Sequence, residues 1–196
     1  GKEFEIIMKA GNAAFGKNAC GAPFSIYAPG AFTDENGKTG SAKNWAFAVT
    51  AGDTLTYRWP IAAFENGKYH LRVYGPNGFF REFNGNKNDP AIDIACTYES
   101  GASKKPTGNI ALSLTNKNAE KPASIEVTDN AYKNNTVKRT IAKSSAANII
   151  LNTSKSKGWY DFTVKVSGAE NFEKRFAGRV ETGKESITDP YMGRVV

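Results

Sequence analysis

Apolar side chains recur along this chain at every second position. Phe4, Ile6 and Met8 alternate with Glu5 and Lys9; Leu55, Tyr57 and Trp59 with Thr54, Thr56 and Arg58; Tyr69, Leu71 and Val73 with His70 and Arg72. The habit continues through Ile92, Ile94, Cys96 and Tyr98, through Ile110, Leu112 and Leu114, and through Tyr160, Phe162, Val164 and Val166. A period of two sends one face of an extended chain into a core and the other into water, so the spacing predicts short, half-buried antiparallel strands. Helical spacing is nearly absent. Between the apolar runs stand turn formers: Asn36-Gly37, Asn66-Gly67, Gly75-Pro76-Asn77-Gly78 and Ser167-Gly168. Pro76 presets its own φ and the glycines tolerate positive φ, so a hairpin is expected between Tyr74 and Phe79.

The chain also repeats itself. Gly67-Lys68-Tyr69-His70-Leu71-Arg72-Val73 falls on Gly158-Trp159-Tyr160-Asp161-Phe162-Thr163-Val164. Phe79 to Phe83 followed by Gly85 corresponds to Phe172 to Phe176 followed by Gly178, and Pro23-Phe24-Ser25-Ile26 to Pro122-Ala123-Ser124-Ile125, with a longer following loop in the first copy. A repeat of about 90 residues with short strands fits an all-β protein made of two tandem immunoglobulin-like antiparallel β-sandwiches, each of about seven strands. The stretch from Glu99 to Gly108 is small, polar and basic, with no apolar period to bury. It is expected to link a first sandwich over 1–99 to a second over 109–196, with 100–108 as the linker.

Composition narrows the function classes. Hydrophobic residues at 40% and charged ones at 23% describe an ordinary globular chain, with no run near the roughly 20 apolar residues that span a bilayer. The net charge of +7 comes from lysines scattered among acidic residues, a mixed surface rather than a nucleic-acid footprint, so no nucleic acid is expected as a partner. The start Gly1-Lys2-Glu3-Phe4 enters directly on a strand and carries neither the basic nor the apolar region of a signal peptide. Two cysteines, Cys20 and Cys96, are too few for a disulfide scaffold or a four-cysteine metal cluster. Cys96 reads first as a small apolar residue on the face of Ile92 and Ile94. The alternative is a bridge to Cys20, closing about 75 residues and contributing roughly 4 kcal/mol.

Catalytic chemistry finds little to stand on. The one histidine, His70, lies on the polar side of its strand and matches Asp161 in the second copy, so it reads as a solvated strand residue rather than a general base. Asp34-Glu35 and Asp89 with Asp93 could be nominated as paired carboxylates, but a chain with 19 acidic residues offers such pairs by chance. Asp34-Glu35-Asn36-Gly37 lacks the spaced oxygen ligands of a calcium loop and reads as a turn. No catalytic residue, metal ligand or cofactor is expected. The binding candidates are Tyr74, Asn77, Phe79, Phe80 and Arg81, an aromatic ledge with a cation around the Gly-Pro-Asn-Gly turn that could meet a lipid head group or a sugar ring.

Two motifs carry a resemblance. The segment from Tyr69 to Gly85, with its Tyr74-Gly75-Pro76-Asn77-Gly78-Phe79-Phe80 turn, is similar to the repeated C-terminal module of bacterial phosphocholine-specific (non-haemolytic type) phospholipases C. The run from Val180 to Gly193, ending Thr188-Asp189-Pro190-Tyr191-Met192-Gly193, resembles the close of those enzymes. The resemblance is loose from Ile110 to Asn152. It implies a non-catalytic C-terminal region of an exported enzyme, secreted or periplasmic, whose separate N-terminal domain hydrolyses phosphatidylcholine or sphingomyelin to release phosphocholine. The implied partners are that catalytic domain and a phospholipid surface, and the implied role is to stabilise the one or orient it at the other. A carbohydrate-binding or cell-surface-binding module is the alternative expectation.

Overall fold

The computed structural model describes residues 1–13, 16–102 and 105–192. Two compact units are present, the first built from Gly1–Asp89 with Asn171–Lys174 and the second from Pro90–Glu170 and from Arg175 onward. Among the described residues no helix is long or apolar enough to cross a membrane.

In the first unit the strands are β1 (Glu3–Lys9), β2 (Ala22–Ala28), β3 (Phe32–Thr33), β4 (Thr39–Gly40), β5 (Lys43–Val49), β6 (Thr54–Pro60), β7 (Lys68–Tyr74) and β8 (Phe80–Asn86). β1 and β6 form one antiparallel pair, in register from Glu3↔Pro60 to Lys9↔Thr54. β5, β2, β7 and β8 are neighbours in that order in the facing sheet, and β3–β4 is a small ribbon in the loop between β2 and β5. The period-two residues do what their spacing requires. Ile6 and Met8 of β1, Trp59 of β6, Ile26 of β2 and Tyr69, Leu71 and Val73 of β7 bury together in one cluster. The expected reversal is present: Tyr74 pairs with Phe80, and Asn77 and Gly78 take φ of 55° and 75° at the tip.

The second unit carries β9 (Ile92–Ser100), β10 (Pro106–Asn116), β11 (Ala123–Asp129), β12 (Val137–Ile141), β13 (Ala146–Leu151), β14 (Trp159–Val166) and β15 (Glu173–Arg179). One sheet runs β13-β10-β9 and the other β12-β11-β14-β15. Ile110, Leu112 and Leu114 from the first sheet and Ile125, Val127, Phe162 and Val164 from the second are all buried. Strand for strand the units agree: β10 and β13 answer to β1 and β6, and β11, β12, β14 and β15 to β2, β5, β7 and β8.

The expected boundary is corrected by this arrangement. β9 does not close the first sandwich; it pairs antiparallel with β10, from Ile92↔Asn116 to Tyr98↔Ile110, so the second unit begins at Pro90. The polar stretch 100–108 is the tight end of that hairpin rather than a linker. Gly101 N–H donates to the Lys105 carbonyl at 2.9 Å, and the register shifts between Pro106 and Ile110, while Ser103 and Lys104 lie outside the described residues. A hairpin turn and a linker have the same small, polar composition, which is why sequence could not separate them. The first unit accordingly pairs β1 with β6 alone, where the second sets three strands side by side.

One glycine of the repeat is dictated by space. A Cβ on Gly85 would run into the Tyr69 hydroxyl and the Asp89 carboxylate, which are hydrogen-bonded to each other. Burial first, then this bond, raises the Tyr69 phenol well above its ordinary pKa. Gly85→Ala must open that bond or displace β8, and is expected to cost about 2 kcal/mol. Urea denaturation would check it, and a loss below about 0.5 kcal/mol would show that the bond opens freely.

Candidate functional site

The five ledge residues do gather on one hairpin, but they divide into two sets. Tyr74 is 44% exposed and Asn77 stands exposed at the tip. Phe79 instead turns inward. It is packed against the first unit's core and lies edge-on to Phe24, with ring centroids 5.9 Å apart. Its ring also approaches the space above Gly75, where a Cβ would meet it at 3.0 Å. Arg81 places its guanidinium carbon 4.1 Å from the Phe79 ring centroid and donates from Nη1 to the Phe80 carbonyl at 2.8 Å. Tyr74 and half-buried Phe80 are tilted by 54° at 5.2 Å, so they do not make the single plane on which a sugar ring would stack. The second copy repeats the inward ring, with Phe172 buried and Lys174 Nζ 5.3 Å above it.

His70 is not the solvated residue its strand face suggested. Its Nε2 lies 2.7 Å from Glu82 Oε1, and Arg72 Nε donates to the same oxygen at 2.7 Å. Glu82 is 7% exposed. Burial pushes its carboxyl upward, but the hydrogen bonds from Arg72 and His70 outweigh this and hold it below the usual carboxylate value. A period-two pattern reports which face a residue lies on; it is blind to a carboxylate two strand positions away on the neighbouring strand. The second unit fills the same positions with the charges exchanged. Asp161, the counterpart of His70, takes a bidentate bond from Arg175, the counterpart of Glu82, at 2.8 and 2.6 Å. Asn130 adds a third bond to Asp161 at 2.8 Å. The carboxylate thus stands on opposite strands of the hairpin in the two copies, and in each it is held by a basic side chain from across the strand pair.

The nominated carboxylates are spread over separate structural tasks. Asp34 Oδ1 accepts the backbone N–H groups of Asn36 and Lys38 at 3.0 and 2.9 Å, closing the ribbon turn. Asp89 takes the Tyr69 hydroxyl and the Asn86 N–H, while Asp93 pairs with Lys117 at 2.5 Å. Among the described residues no group of three or more His, Cys, Asp or Glu side chains is placed to hold a metal ion. Cys20 is exposed and Cys96 half-buried, and the two are not bridged to each other.

Sequence reasoning missed a hollow at one end of the second unit. A cavity of about 130 Å³ lies between β13 and β14 and is lined by Ile150, Leu151, Asn152, Trp159, Asp161 and the 134–135 loop, among others. The tail beyond β15 braces this end: Trp159 Nε1 donates to the Ile187 carbonyl at 3.0 Å and the Tyr132 hydroxyl to Asp189 Oδ2 at 2.9 Å. No periodic signal marks a cavity, because it depends on how side chains from several strands fail to fill the space between them.

Comparison with known proteins agrees with the duplicated architecture. The family model described as bacterial phospholipase C, C-terminal domain, matches twice, over residues 3–86 and 92–179. The chain is 37% identical over 131 residues to a non-hemolytic phospholipase C of Pseudomonas aeruginosa, covering 65% of this chain and 19% of that protein. It is 38% identical over 134 residues to a hemolytic phospholipase C of the same organism, covering 65% and 17%. To a non-hemolytic phospholipase C of Burkholderia pseudomallei it is 34% identical over 149 residues, covering 74% and 21%. The chain thus spans about a fifth of the length of these relatives. With one family model taking in both of its sandwiches, this chain belongs to the family of bacterial phospholipase C C-terminal domains.

Proposed function

We propose that the two sandwiches form the non-catalytic C-terminal region of an exported phospholipase C, acting on phosphatidylcholine or sphingomyelin, and that they support its catalytic domain and orient it at a lipid surface. The match of the C-terminal-domain family model to both units carries this reading. The first unit's hairpin supports the lipid contact: Tyr74 is exposed at its rim and Arg81 sits over Phe79, an aromatic and cationic edge suited to the interface between head groups and water.

Co-sedimentation with phosphatidylcholine vesicles, with and without added phosphatidylglycerol, over a salt series tests it. Binding is expected to rise with the anionic lipid and to fall as salt screens it. Tyr74→Ser should weaken binding severalfold without lowering the melting temperature. Absence of binding at low salt would end the lipid role and leave support of the catalytic domain alone.

A further inference from the structure

The two copies differ most where the first is plugged and the second is hollow. In the first unit Phe32, carried on the β3–β4 ribbon, lies edge-on to Trp45 at 5.0 Å and to Phe64 at 5.2 Å. Trp45 is in turn edge-on to Trp59 at 5.5 Å. Strand register identifies what replaces these rings. Trp45 pairs with Ile26, and Ile125, the counterpart of Ile26, pairs with Arg139. Trp59 pairs with Phe4 and Leu151 with Ile110, the counterpart of Phe4. Five residues further on, Phe64 becomes Ser156. The shorter loop after β11 carries no ribbon; its aromatic residue, Tyr132, is buried and packs against Tyr191 at 5.5 Å. Of these replacements Leu151 lines the cavity, so the hollow adjoins the position that Trp59 fills in the first copy.

Its lining selects a chemistry. No lysine or arginine faces the cavity, so phosphate, sulfate and carboxylate find no counter-charge. Its two carboxylates are already engaged. Asp129 accepts the N–H groups of Ala131 and Tyr132 at 2.9 and 2.6 Å and the Asn134 amide at 2.5 Å, and Asp161 is neutralised by Arg175. An organic cation finds the one formal charge of Asp129, whose two carboxylate oxygens already accept hydrogen bonds from its own loop. What remains is the indole of Trp159, fixed through its bond to Ile187, with the amides of Asn135 and Asn152 at the rim, the Asn152 oxygen also accepting the Ser154 N–H at 2.9 Å. Amides offer donors and acceptors side by side, as vicinal hydroxyls demand, and an indole offers the apolar wall against which sugar C–H groups pack. The volume is close to that of the cavity of about 150 Å³ that takes up one benzene ring in an engineered core, enough for one six-membered ring at an open mouth.

We propose that this end of the second unit binds one uncharged pyranose, such as the terminal sugar of a glycan, with its ring against Trp159 and its hydroxyls on Asn135, Asn152 and the acceptor capacity left on Asp161. The site is independent of the lipid-surface reading and lies in the other unit. Titration of the isotope-labelled chain with methyl glucoside, methyl mannoside and N-acetylglucosamine, followed by amide and indole NMR signals, is the test. At least one sugar is expected to shift the Trp159 indole and the Asn135 and Asn152 side-chain signals saturably, with millimolar affinity. Leu151→Trp, which restores the plug of the first unit, should weaken that binding at least about tenfold, and so should Asn135→Ala with Asn152→Ala, two exposed changes that leave the core intact. The proposal is overturned if no sugar gives a saturable shift, or if tetramethylammonium or inorganic phosphate moves these signals and the sugars do not.

Discussion

Trp59→Ala is expected to destabilise the first unit by about 3–5 kcal/mol, the range for emptying the site of a buried aromatic residue. Trp59 is 1% exposed and lies in contact with two further rings, Tyr57 at 4.6 Å and Trp45 at 5.5 Å. The surroundings have some freedom to collapse onto the vacated volume, which favours the lower part of that range. β6 is held in its sheet by β1 alone, and Phe32 reaches the cluster from a two-residue strand whose partner is equally short. A companion change separates packing from hydrogen bonding. The indole N–H of Trp59 is buried without an acceptor, so Trp59→Phe loses ring area but also removes an unsatisfied donor, and the two effects oppose each other. It should cost less than about 1.5 kcal/mol. Urea titration followed by far-ultraviolet circular dichroism would read Trp59→Ala as a fall of roughly 2 M in the midpoint of the affected transition. A loss below about 1 kcal/mol would mean that the aromatic plug is loosely packed, and the contrast drawn between plugged and hollow copies would lose its physical basis.

The strands, the duplication and the hairpin at Tyr74 were legible because each rests on a local signal: period two, segment identity, or a turn residue with a fixed φ. Long-range facts were not. Whether β9 completes the first sandwich or opens the second depends on its pairing with β10, and Ile92, Ile94 and Cys96 would alternate identically in either place. His70 could be assigned to the outer face, but its bond to Glu82 comes from a neighbouring strand. The five residues nominated as a ledge could be placed on one hairpin, but the sequence shows that Phe79 and Phe80 are adjacent without showing that Phe79 lies edge-on to Phe24. The cavity left no trace, although the repeat contained the information. Trp59 against Leu151, which lines the cavity, is a large-to-small difference between copies of one fold, and such a difference at an aligned inward position is where a hollow can open. Within the family motif from Tyr69 to Gly85, Gly85 is fitted against Tyr69 and Asp89, so this end of the motif records packing.

Asn116→Asp is expected to be the most damaging single change in the second unit and to be partly rescued by acid. Asn116 is 1% exposed. Its amide nitrogen donates to the carbonyls of Lys121 at 2.9 Å, Ala142 at 3.2 Å and Ile141 at 3.4 Å, and its oxygen accepts the Asn118 N–H at 3.0 Å. One side chain thus ties the end of β10 to the loop before β11 and to the loop after β12. Its counterpart in the first unit is Ala10, where no side chain can do this. Asn116→Ala leaves those carbonyls without their donor and should cost about 2–4 kcal/mol. Asn116→Asp sets a carboxylate against three carbonyl oxygens and should cost more than the alanine variant at neutral pH. Burial and those oxygens would raise the folded-state pKa of the new carboxyl above its unfolded value of about 3.9. Proton uptake therefore favours the folded variant: its deficit relative to the parent chain is largest above the raised pKa and shrinks as pH falls through it, levelling off below about 3.9. The protonated group regains one donor, so the residual loss should approach that of Asn116→Ala. Urea midpoints for the three proteins from neutral pH to about pH 4 measure this, each compared with the parent at the same pH because Glu82 is itself stabilising only while ionised. A deficit for Asn116→Asp that stays constant over that range would mean that the carboxylate reaches water, and that the loops joined by Asn116 separate at little cost.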